Sequence, residues 1–395
     1  MIPHEEALDR IRSHVRPLET EQVPTRDCAG RVLASDLATK VSSPPFNKSA
    51  MDGYAVRERD VANLPVELDL VGESYAGQWP AFTVGPGQCS VITTGAPLPA
   101  GADWVVMVEQ TNRTPEGKVR IEGLSGRNVC AQGEDMAQGD TVLRTGQLLT
   151  PLRVGVAAAA GHDSLLVYRK PSVSLLCTGT EVVEPPDPVA KGQIYNSNGP
   201  ILMALLKPDA EKFDYLGLVG DRPKALEAAL RQGLDSDLFV ITGGVSVGAL
   251  DLVPESLQRL GVEIVFHKCA IKPGKPALLG VHEKGYVFGV PGNPFSCFAV
   301  YHVLMRAVLA RMANAWLIPP VMRSGIMRHD FKNKPGRKNF KPCRVIVEEG
   351  VNRIELVRSH GSADITGGSE GNALVAVPAD ATHIEAGQMM KYIEV

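Results

Sequence analysis

Two short segments in the C-terminal half carry the residues best suited to chemistry. In residues 272–276 (KPGKP), Lys272 and Lys275 flank a Pro-Gly turn. In residues 291–296 (PGNPFS), Asn293 is suited to cap a long helix that has Pro294 at its first position. Two ammonium groups beside a helix N-terminus predict a site for a multiply charged anion. Ser296 lies in the first helical turn, where we expect its hydroxyl and the free N–H groups to face the same oxyanion.

The region around these segments alternates short apolar runs with helical patterns. Leu226, Leu230 and Leu234 recur at the helical spacing, and the continuous apolar run 238–241 is typical of a parallel strand covered on both faces. The sequence therefore predicts an open α/β sheet covered by helices. Its predicted strands are residues 173–177, 215–219, 238–241, 264–266 and 286–290.

Glycines, hydroxyls and carboxylates follow the carboxyl ends of these strands, where open α/β sheets bind ligands. They are Thr178, Gly179, Glu181, Asp221, Gly243, Gly244, Ser246 and Asp251. Glycines let backbone N–H groups approach phosphate oxygens. Each feature alone has a simpler explanation. The glycines could merely end strands tightly, the two lysines could be ordinary solvated turn residues, and Asp221 could cap a helix. Together they favour an oxyanion site, and the carboxylates Glu181, Asp221 and Asp251 suggest Mg²⁺ beside it.

The rest of the chain differs in pattern from this α/β region. An opening helix places Leu8, Ile11 and Val15 on one face. Residues 20–140 are rich in turn signals and short extended runs, which predicts an irregular β-rich region. Residues 151–160 return to helix. After residues 319–320 (PP), short strands divided by glycines predict a small C-terminal β domain.

Composition limits the classes of protein that fit. The chain of 395 residues is 44% hydrophobic and has a net charge of -3, so no global field recruits nucleic acid. Seven scattered cysteines without a CxxC pair predict neither a disulfide framework nor a zinc site. The N-terminus lacks an apolar signal region, and the apolar run 295–310 is shorter than the roughly 20 residues a bilayer needs. We therefore expect a soluble, cytoplasmic protein with no membrane partner.

The motifs, in their order, resemble the molybdopterin molybdenumtransferase family, which comprises the MoeA proteins and the related gephyrin E domain. The matching elements are SAMDGYAV (49–56), TTGAPLPAGAD (93–103), GED (133–135), TGTE (178–181), IYNSN (194–198), GGVSVG (243–248) with Asp251, KPGKP and PGNPFS. The opening helix and the C-terminal strands match in pattern too, so the resemblance covers nearly the whole chain.

This resemblance implies a multidomain fold of an open three-layer α/β domain, an irregular β-rich domain, an elongated helical linker and a C-terminal β barrel. The expected boundaries are residues 1–46 with 140–170 for a discontinuous linker and dimerisation domain, 47–139 for the β-rich domain, 171–314 for the α/β domain and 315–395 for the barrel. It also implies a homodimer whose active site is shared between subunits, and it allows contact with the molybdopterin adenylyltransferase.

The implied reaction inserts molybdate into the dithiolene of adenylated molybdopterin and releases AMP with the help of Mg²⁺. Carried over by position, the catalytic set is Lys272, Lys275, Asp251 and Ser296. The implied substrate contacts are Asp52, Thr94, Asp135, Thr178, Gly179, Gly243, Gly244, Ser246, Pro276, Arg337 and Ser362, of which Asp52, Thr94 and Asp135 would come from the partner subunit. Glu181, Asp221 and Asp251 would bind the metal.

Two positions depart from the family pattern. Cys130 stands where an arginine usually precedes the GED segment, and residues 337–343 (RKNFKPC) lack the arginine expected shortly after Phe340. Two alternatives stay open. A non-catalytic scaffold or pterin-binding protein could use the same fold, although the lysine and acidic set is present. A different nucleotide-dependent transferase could use the α/β domain alone, but this would leave the SAMDGYAV segment unexplained.

Overall fold

The computed structural model describes residues 1–220, 222–245 and 252–395. The chain forms two compact units, one of residues 1–21, 146–148 and 167–395, the other of residues 22–145 and 149–166. The helices of the described residues are α1 (His4–His14), α2 (Pro151–Ala159), α3 (Asn198–Leu206), α4 (Pro223–Gly233), α5 (Val253–Arg259), α6 (Pro294–Met312, with a π-helical turn at Tyr301–Met305) and α7 (Ile365–Ser369). Two strands, Thr20–Pro24 and Ser164–Tyr168, contain unit boundaries.

The first unit contains a six-stranded sheet. Its order is Lys212–Val219, Ser172–Thr178, Leu238–Thr242, Gly285–Val290, Leu278–His282 and Glu263–His267. The first four strands are parallel, in a register that pairs Val173 with Leu238 and Leu238 with Tyr286. This confirms the predicted βαβ series. The strand predicted between the KPGKP and PGNPFS segments is present as Gly285–Val290, but the structure adds a second strand, Leu278–His282, before it. Two antiparallel strands turn at His282–Gly285, and they make the sheet mixed at one edge.

Burial explains why these segments fold as they do. Every residue of Leu238–Thr242 is buried, as expected for a strand covered on both faces. Leu226 and Leu230 are buried on one side of α4, and Pro223 occupies its first turn. A second core joins α1 and α6 to the strands on the other face of the sheet and extends to Phe340 and Leu374 of the C-terminal strands. The sheet and the C-terminal strands are therefore held by one continuous core.

Helix α6 is the central element of that core. It is the one helix of the described residues that is long and apolar enough to cross a membrane, since it spans 19 residues with a mean hydropathy of 1.3. The expectation from the sequence that this apolar run is too short to cross a bilayer was therefore wrong. However, 78% of the apolar window is buried within the protein, which is the behaviour of a core helix.

The C-terminal strands close into a five-stranded barrel in the order Lys338–Glu348, Val351–Leu356, Arg323–Met327, Met389–Glu394 and Ala373–Val377, with the last pairing back to the first. Strand Ile271–Lys272 adds in parallel to Lys338–Glu348, so the KPGKP segment begins as an extension of the barrel sheet. Short pairings link Phe331–Lys332 with His383–Ile384 and Val182–Val183 with Ile194–Tyr195.

The second unit is β-rich, as predicted. Its main sheet has the order Trp104–Met107, Gly53–Val56, Gln88–Ile92, Val66–Ser74, Val119–Ile121 and Thr111–Arg113. Shorter pairs join Lys48–Ser49 with Val129–Cys130 and Leu37–Ala38 with Thr141–Leu143. Val56, Leu68 and Val119 are buried in the core of this sheet.

Candidate functional site

A cleft of about 1250 Å³ lies in the first unit, where the carboxyl ends of the parallel strands meet the barrel. The sheet contributes the loops after Ser172–Thr178 and Leu238–Thr242, and the barrel contributes strand Lys338–Glu348 and residues 356–365. The structure brings these predicted site residues to its walls: Thr178, Gly179, Glu181, Gly243, Gly244, Lys272, Lys275, Pro276, Ser296, Arg337 and Ser362. The residues predicted at the sheet edge therefore line one concave surface.

The two predicted lysines lie on a tight loop that is fixed against α6. Gly274, between them, has φ of +112°, and a Cβ there would lie 2.4 Å from Cγ2 of Val300. Only glycine allows this backbone conformation and this close approach to the helix. The loop closes with a hydrogen bond from the N–H of Cys269 to the carbonyl of Lys275. Lys272 and Lys275 remain exposed and line the cleft.

The barrel supplies two more cations. Arg337 lines the cleft and donates from Nη1 to the carbonyl of Ile271 over 3.0 Å. Lys341 lines it too, half-buried, with Nζ 5.5 Å from the centre of the Phe331 ring. Burial and the charge of Lys272 lower the pKa of Lys341. The sequence reasoning missed this lysine, although alternation along the barrel strand could have placed it on the same face as Asn339.

The four cations have no carboxylate within ion-pairing distance among the residues that the structure describes. Lys338, by contrast, leaves the cleft and pairs with Glu5 over 2.6 Å. Glu181 is the only Asp or Glu in the described lining. Positive charges left unpaired in one concavity repel each other, so the arrangement is stabilised by a bound anion.

The first turn of α6 differs from the prediction in how its polar groups are used. Asn293 occupies the N-cap position but makes no capping hydrogen bond. Its side-chain amide donates instead to Oγ of Ser362 over 2.7 Å. The N–H of Ser296 donates to the carbonyl of Ser362 over 3.2 Å. The expectation that this N–H is open to an oxyanion therefore does not hold here, although Ser296 does line the cleft.

The glycine loops at the strand ends are more structural than expected. The N–H of Gly179 donates to the carbonyl of Val219, and that of Gly243 donates to the carbonyl of Val290, each over 3.3 Å. Gly243 has φ of +86°, and a Cβ there would lie 2.4 Å from the carbonyl oxygen of Thr178. These two glycines therefore let neighbouring strands end close together, and their N–H groups are not open to phosphate.

A partly buried network of hydrogen bonds holds the segment that carries Glu181. Oη of Tyr215 donates a short hydrogen bond to the carboxylate of Glu184. Nδ2 of Asn196 donates to the same carboxylate over 2.8 Å. Burial and the hydrogen bond to Glu184 raise the pKa of Tyr215, so the phenol stays a donor. The network fixes both ends of residues 181–196 on the cleft wall, a role the sequence reasoning did not assign.

Two of the three predicted metal ligands and one predicted substrate contact fall outside the residues that the structure describes. Asp221, Ser246 and Asp251 lie outside the described residues, which leaves Glu181 as the one predicted metal ligand with a position. Within residues 1–220, 222–245 and 252–395, no group of three His, Cys, Asp or Glu side chains could hold a metal ion.

The predicted contacts Asp52, Thr94 and Asp135 lie in the second unit. Oδ1 of Asp52 accepts from the N–H of Thr94 over 2.7 Å and from its hydroxyl over 3.0 Å, and these bonds lower the pKa of Asp52. Asp135 is tied through its N–H to the carbonyl of Ser43. Burial and a hydrogen bond to Glu134 raise the pKa of Cys130, so a neutral thiol stands at this departure from the family pattern.

The other six cysteines are buried. All seven are free thiols, and the three expected to be small buried residues, Cys177, Cys269 and Cys297, are buried. Burial raises the pKa of each, which keeps the thiols protonated.

Three family regions match the chain in succession. Residues 2–161 match the MoeA N-terminal region (domain I and II), residues 174–311 match the probable molybdopterin binding domain, and residues 324–395 match the MoeA C-terminal region (domain IV). The last match covers the closed five-stranded barrel.

Individual relatives agree with these matches over nearly the whole chain. The molybdopterin molybdenumtransferase of Haemophilus influenzae is 34% identical over 394 residues, which cover 96% of each chain. That of Synechococcus elongatus is 38% identical over 75% of this chain and 77% of its own. The crystal structure of the molybdopterin biosynthesis MoeA protein from Pyrococcus horikoshii OT3 superposes with a TM-score of 0.84, at 29% identity and full coverage of both chains. The chain belongs to the molybdopterin molybdenumtransferase family.

Proposed function

We propose that this chain inserts molybdate into the dithiolene of adenylated molybdopterin and releases AMP, as a step of molybdenum cofactor biosynthesis. The observation that carries this proposal is the cluster of Lys272, Lys275, Arg337 and Lys341, which faces one cleft without a described carboxylate partner. Molybdate is a dianion and the adenylated substrate contains a pyrophosphate. Fixed cations bring the two anions together and stabilise the charge that develops on the departing AMP.

We propose the following roles, which combine the family resemblance with the positions of the described residues. Lys272, Lys275, Pro276 and Ser296 hold molybdate and the neighbouring phosphate, and Arg337, Lys341 and Ser362 complete this oxyanion site from the barrel. The sheet edge holds the pterin part of the substrate through Thr178, Gly179, Gly243, Gly244 and Ser246. Asp251 contacts substrate or metal. The dithiolene sulfurs belong to the pterin, so no protein cysteine is required.

Mg²⁺ fits the donors of this cleft. Mg²⁺ is held in proteins by one or two carboxylates together with substrate phosphates and water. Glu181 offers a carboxylate on the cleft wall, and the substrate brings phosphate oxygens. We therefore propose Glu181, with Asp221 and Asp251, as the protein's ligands. When bound, the ion neutralises charge on the phosphates during the release of AMP.

The assembly is also a proposal. We infer a cytoplasmic homodimer in which Asp52, Thr94 and Asp135 of the partner subunit complete the site, with the adenylyltransferase that makes the substrate as a further partner. The polar pair of Asp52 and Thr94, poised on a separate unit, supports this. We propose the domain boundaries 1–46 with 140–170, 47–139, 171–314 and 315–395.

The deciding experiment asks whether the chain turns substrate over. The purified protein is incubated with adenylated molybdopterin and Mg²⁺, with and without molybdate, and AMP is measured. The proposed enzyme releases AMP in a molybdate-dependent way and forms molybdenum cofactor. A scaffold or pterin-binding protein would bind the substrate and release no AMP, and that result would overturn the proposal.

A further inference from the structure

The cleft also contains a histidine, His360, that is not part of any of the matching sequence elements. His360 lies between strand Val351–Leu356 and α7, and it lines the cleft. Its backbone N–H donates to Oδ2 of Asp364 over 2.8 Å, and its Nδ1 lies 3.2 Å from the same oxygen. The side chain of His360 is 77% exposed, whereas that of Asp364 is 17% exposed. The carboxylate is thus fixed in the loop while the imidazole reaches the solvent-filled cleft.

Asp364 is held in one position by its other contact. Its Oδ1 accepts from the N–H of Gly367 over 2.9 Å and so caps α7. The backbone hydrogen bonds from His360 and Gly367 lower the pKa of Asp364, so it is a carboxylate at neutral pH. A carboxylate beside Nδ1 selects the state in which Nδ1 carries a proton. Nε2 is then the atom of His360 left for a ligand, since it has no partner within the described residues.

His360 is the one histidine in the described lining of the cleft. The charged groups around it are Lys272, Lys275, Arg337, Lys341 and Glu181 on the walls, with Arg358 and Asp364 on its own loop. Lysine and arginine stay cationic, and Glu stays anionic, between pH 5 and 8. Histidine is the type of side chain whose charge changes most readily in that range.

We propose that His360, oriented by Asp364, is a ligand of the oxyanion bound in this cleft and binds it as the imidazolium. The ligand class is a tetrahedral dianion, either molybdate or a terminal phosphate of the substrate. This inference rests on the proposed function, because it requires that the cations of the cleft bind such an anion. The bound dianion favours the protonated imidazole, so binding is coupled to the uptake of a proton and tightens as the pH falls.

Sulfate is the suitable probe, because it keeps both charges from pH 5.5 to pH 8 and shares the shape of molybdate. Isothermal titration at pH 5.5, 6.5 and 8 gives its affinity for the full-length wild type, for His360→Gln and for the control His329→Gln. His329 is an exposed histidine of the barrel that does not line the cleft. We expect wild type and His329→Gln to bind roughly tenfold more tightly at pH 5.5 than at pH 8, as one charged hydrogen bond allows. His360→Gln binds with the same weak affinity throughout.

Two results would overturn this role. One is a pH dependence that survives in His360→Gln, and the other is a wild type whose affinity does not change with pH. Asp364→Asn keeps an oxygen for the cap but removes the charge, and we expect it to shift the pH dependence to lower pH. An unshifted profile would overturn the role of Asp364. Absence of sulfate and molybdate binding at every pH would instead overturn the proposed function, and the role of His360 with it.

Discussion

The side-chain amide of Asn293 donates a hydrogen bond of 2.7 Å to the hydroxyl of Ser362. Asn293 precedes α6 of the α/β part, and Ser362 lies on a loop of the barrel. Beside this bond, the N–H of Ser296 donates to the carbonyl of Ser362. Ser362, which we expect to contact the anion, is therefore held in position by residues at the start of α6.

We expect Asn293→Ala and Ser362→Ala to weaken molybdate binding, the latter more because it also removes a proposed anion contact, and the double variant to be little worse than Ser362→Ala. The reason is that each substitution removes the same hydrogen bond, which is worth about 0.5–1.5 kcal/mol. Titration of molybdate into the four proteins gives the coupling energy. Asn352→Ala is the control, because it removes an amide bonded to Ser324 elsewhere in the barrel. Strictly additive losses would contradict the coupling.

Lys341 should make molybdate binding sensitive to alkaline pH. Burial and Lys272 lower its pKa, so it loses its charge at a lower pH than an ordinary lysine, near 10.4. We expect Lys341→Met to weaken binding at pH 8 by roughly tenfold, as loss of a charged contact does. Lys341→Arg should bind well and lose less affinity than wild type between pH 8 and 9.5, because arginine stays protonated.

The control for Lys341 is its neighbour Lys338, which pairs with Glu5 and does not line the cleft. Lys338→Met should leave molybdate affinity close to that of wild type. Equal affinities for Lys341→Met and wild type would show that the fourth cation is not part of the site.

Gly274→Ala should destabilise the loop of the two lysines. Its Cβ would lie 2.4 Å from Val300, and φ is +112°. Overpacking and backbone strain together cost about 2–4 kcal/mol. Gly336→Ala separates the two effects, because φ there is +120° but nothing lies within 4 Å of the new Cβ. We expect urea unfolding to show a loss of about 1–2 kcal/mol for Gly336→Ala. Equal losses of unfolding free energy for the two variants would contradict a contribution from overpacking against Val300.

His302 should make the first unit less stable in acid. Burial, and then the charge of Arg306, lower its pKa from 6.5 to about 4, and neither ring nitrogen has a partner among the described residues. The unfolded chain binds a proton below pH 6.5 that the folded protein binds only near pH 4. The stability of the neutral form is therefore full above pH 6.5 and declines as the pH falls toward 4, by roughly 3 kcal/mol in all.

Urea unfolding at pH 7.5 and pH 5 tests this account of His302. We expect the loss of unfolding free energy between these pH values to be about 2 kcal/mol smaller in His302→Leu than in wild type. His14→Leu, at an exposed histidine, should lose as much as wild type. An unchanged pH dependence in His302→Leu would contradict the assignment.

Much of this architecture could be predicted because the signals are local. The apolar run 238–241, the leucines of α4 and Pro294 at the start of α6 each determine their element through short-range burial or backbone geometry. The grouping of Lys272 and Lys275 with the strand ends follows from a general property of open α/β sheets.

Other features depend on contacts between distant segments, and the sequence does not reveal them. The fourth cation, Lys341, and the imidazole of His360 reach the cleft only because the barrel closes against α6 through Phe340 and Leu374. Asn293 has the sequence of a helix cap, but Ser362, 69 positions away, takes its side chain instead. The strand Leu278–His282 was missed, although the polar residues 282–285 (HEKG) divide two apolar runs and mark the hairpin turn.

The central claim is that unpaired cations in one cleft hold molybdate for reaction with the adenylated pterin. Molybdate-dependent release of AMP by Lys275→Ala, measured beside wild type at equal concentration, tests it most directly. We expect a loss of at least roughly tenfold in rate, since a charged contact to the anion is removed, with an unchanged circular dichroism spectrum. AMP release at the rate of wild type would contradict it.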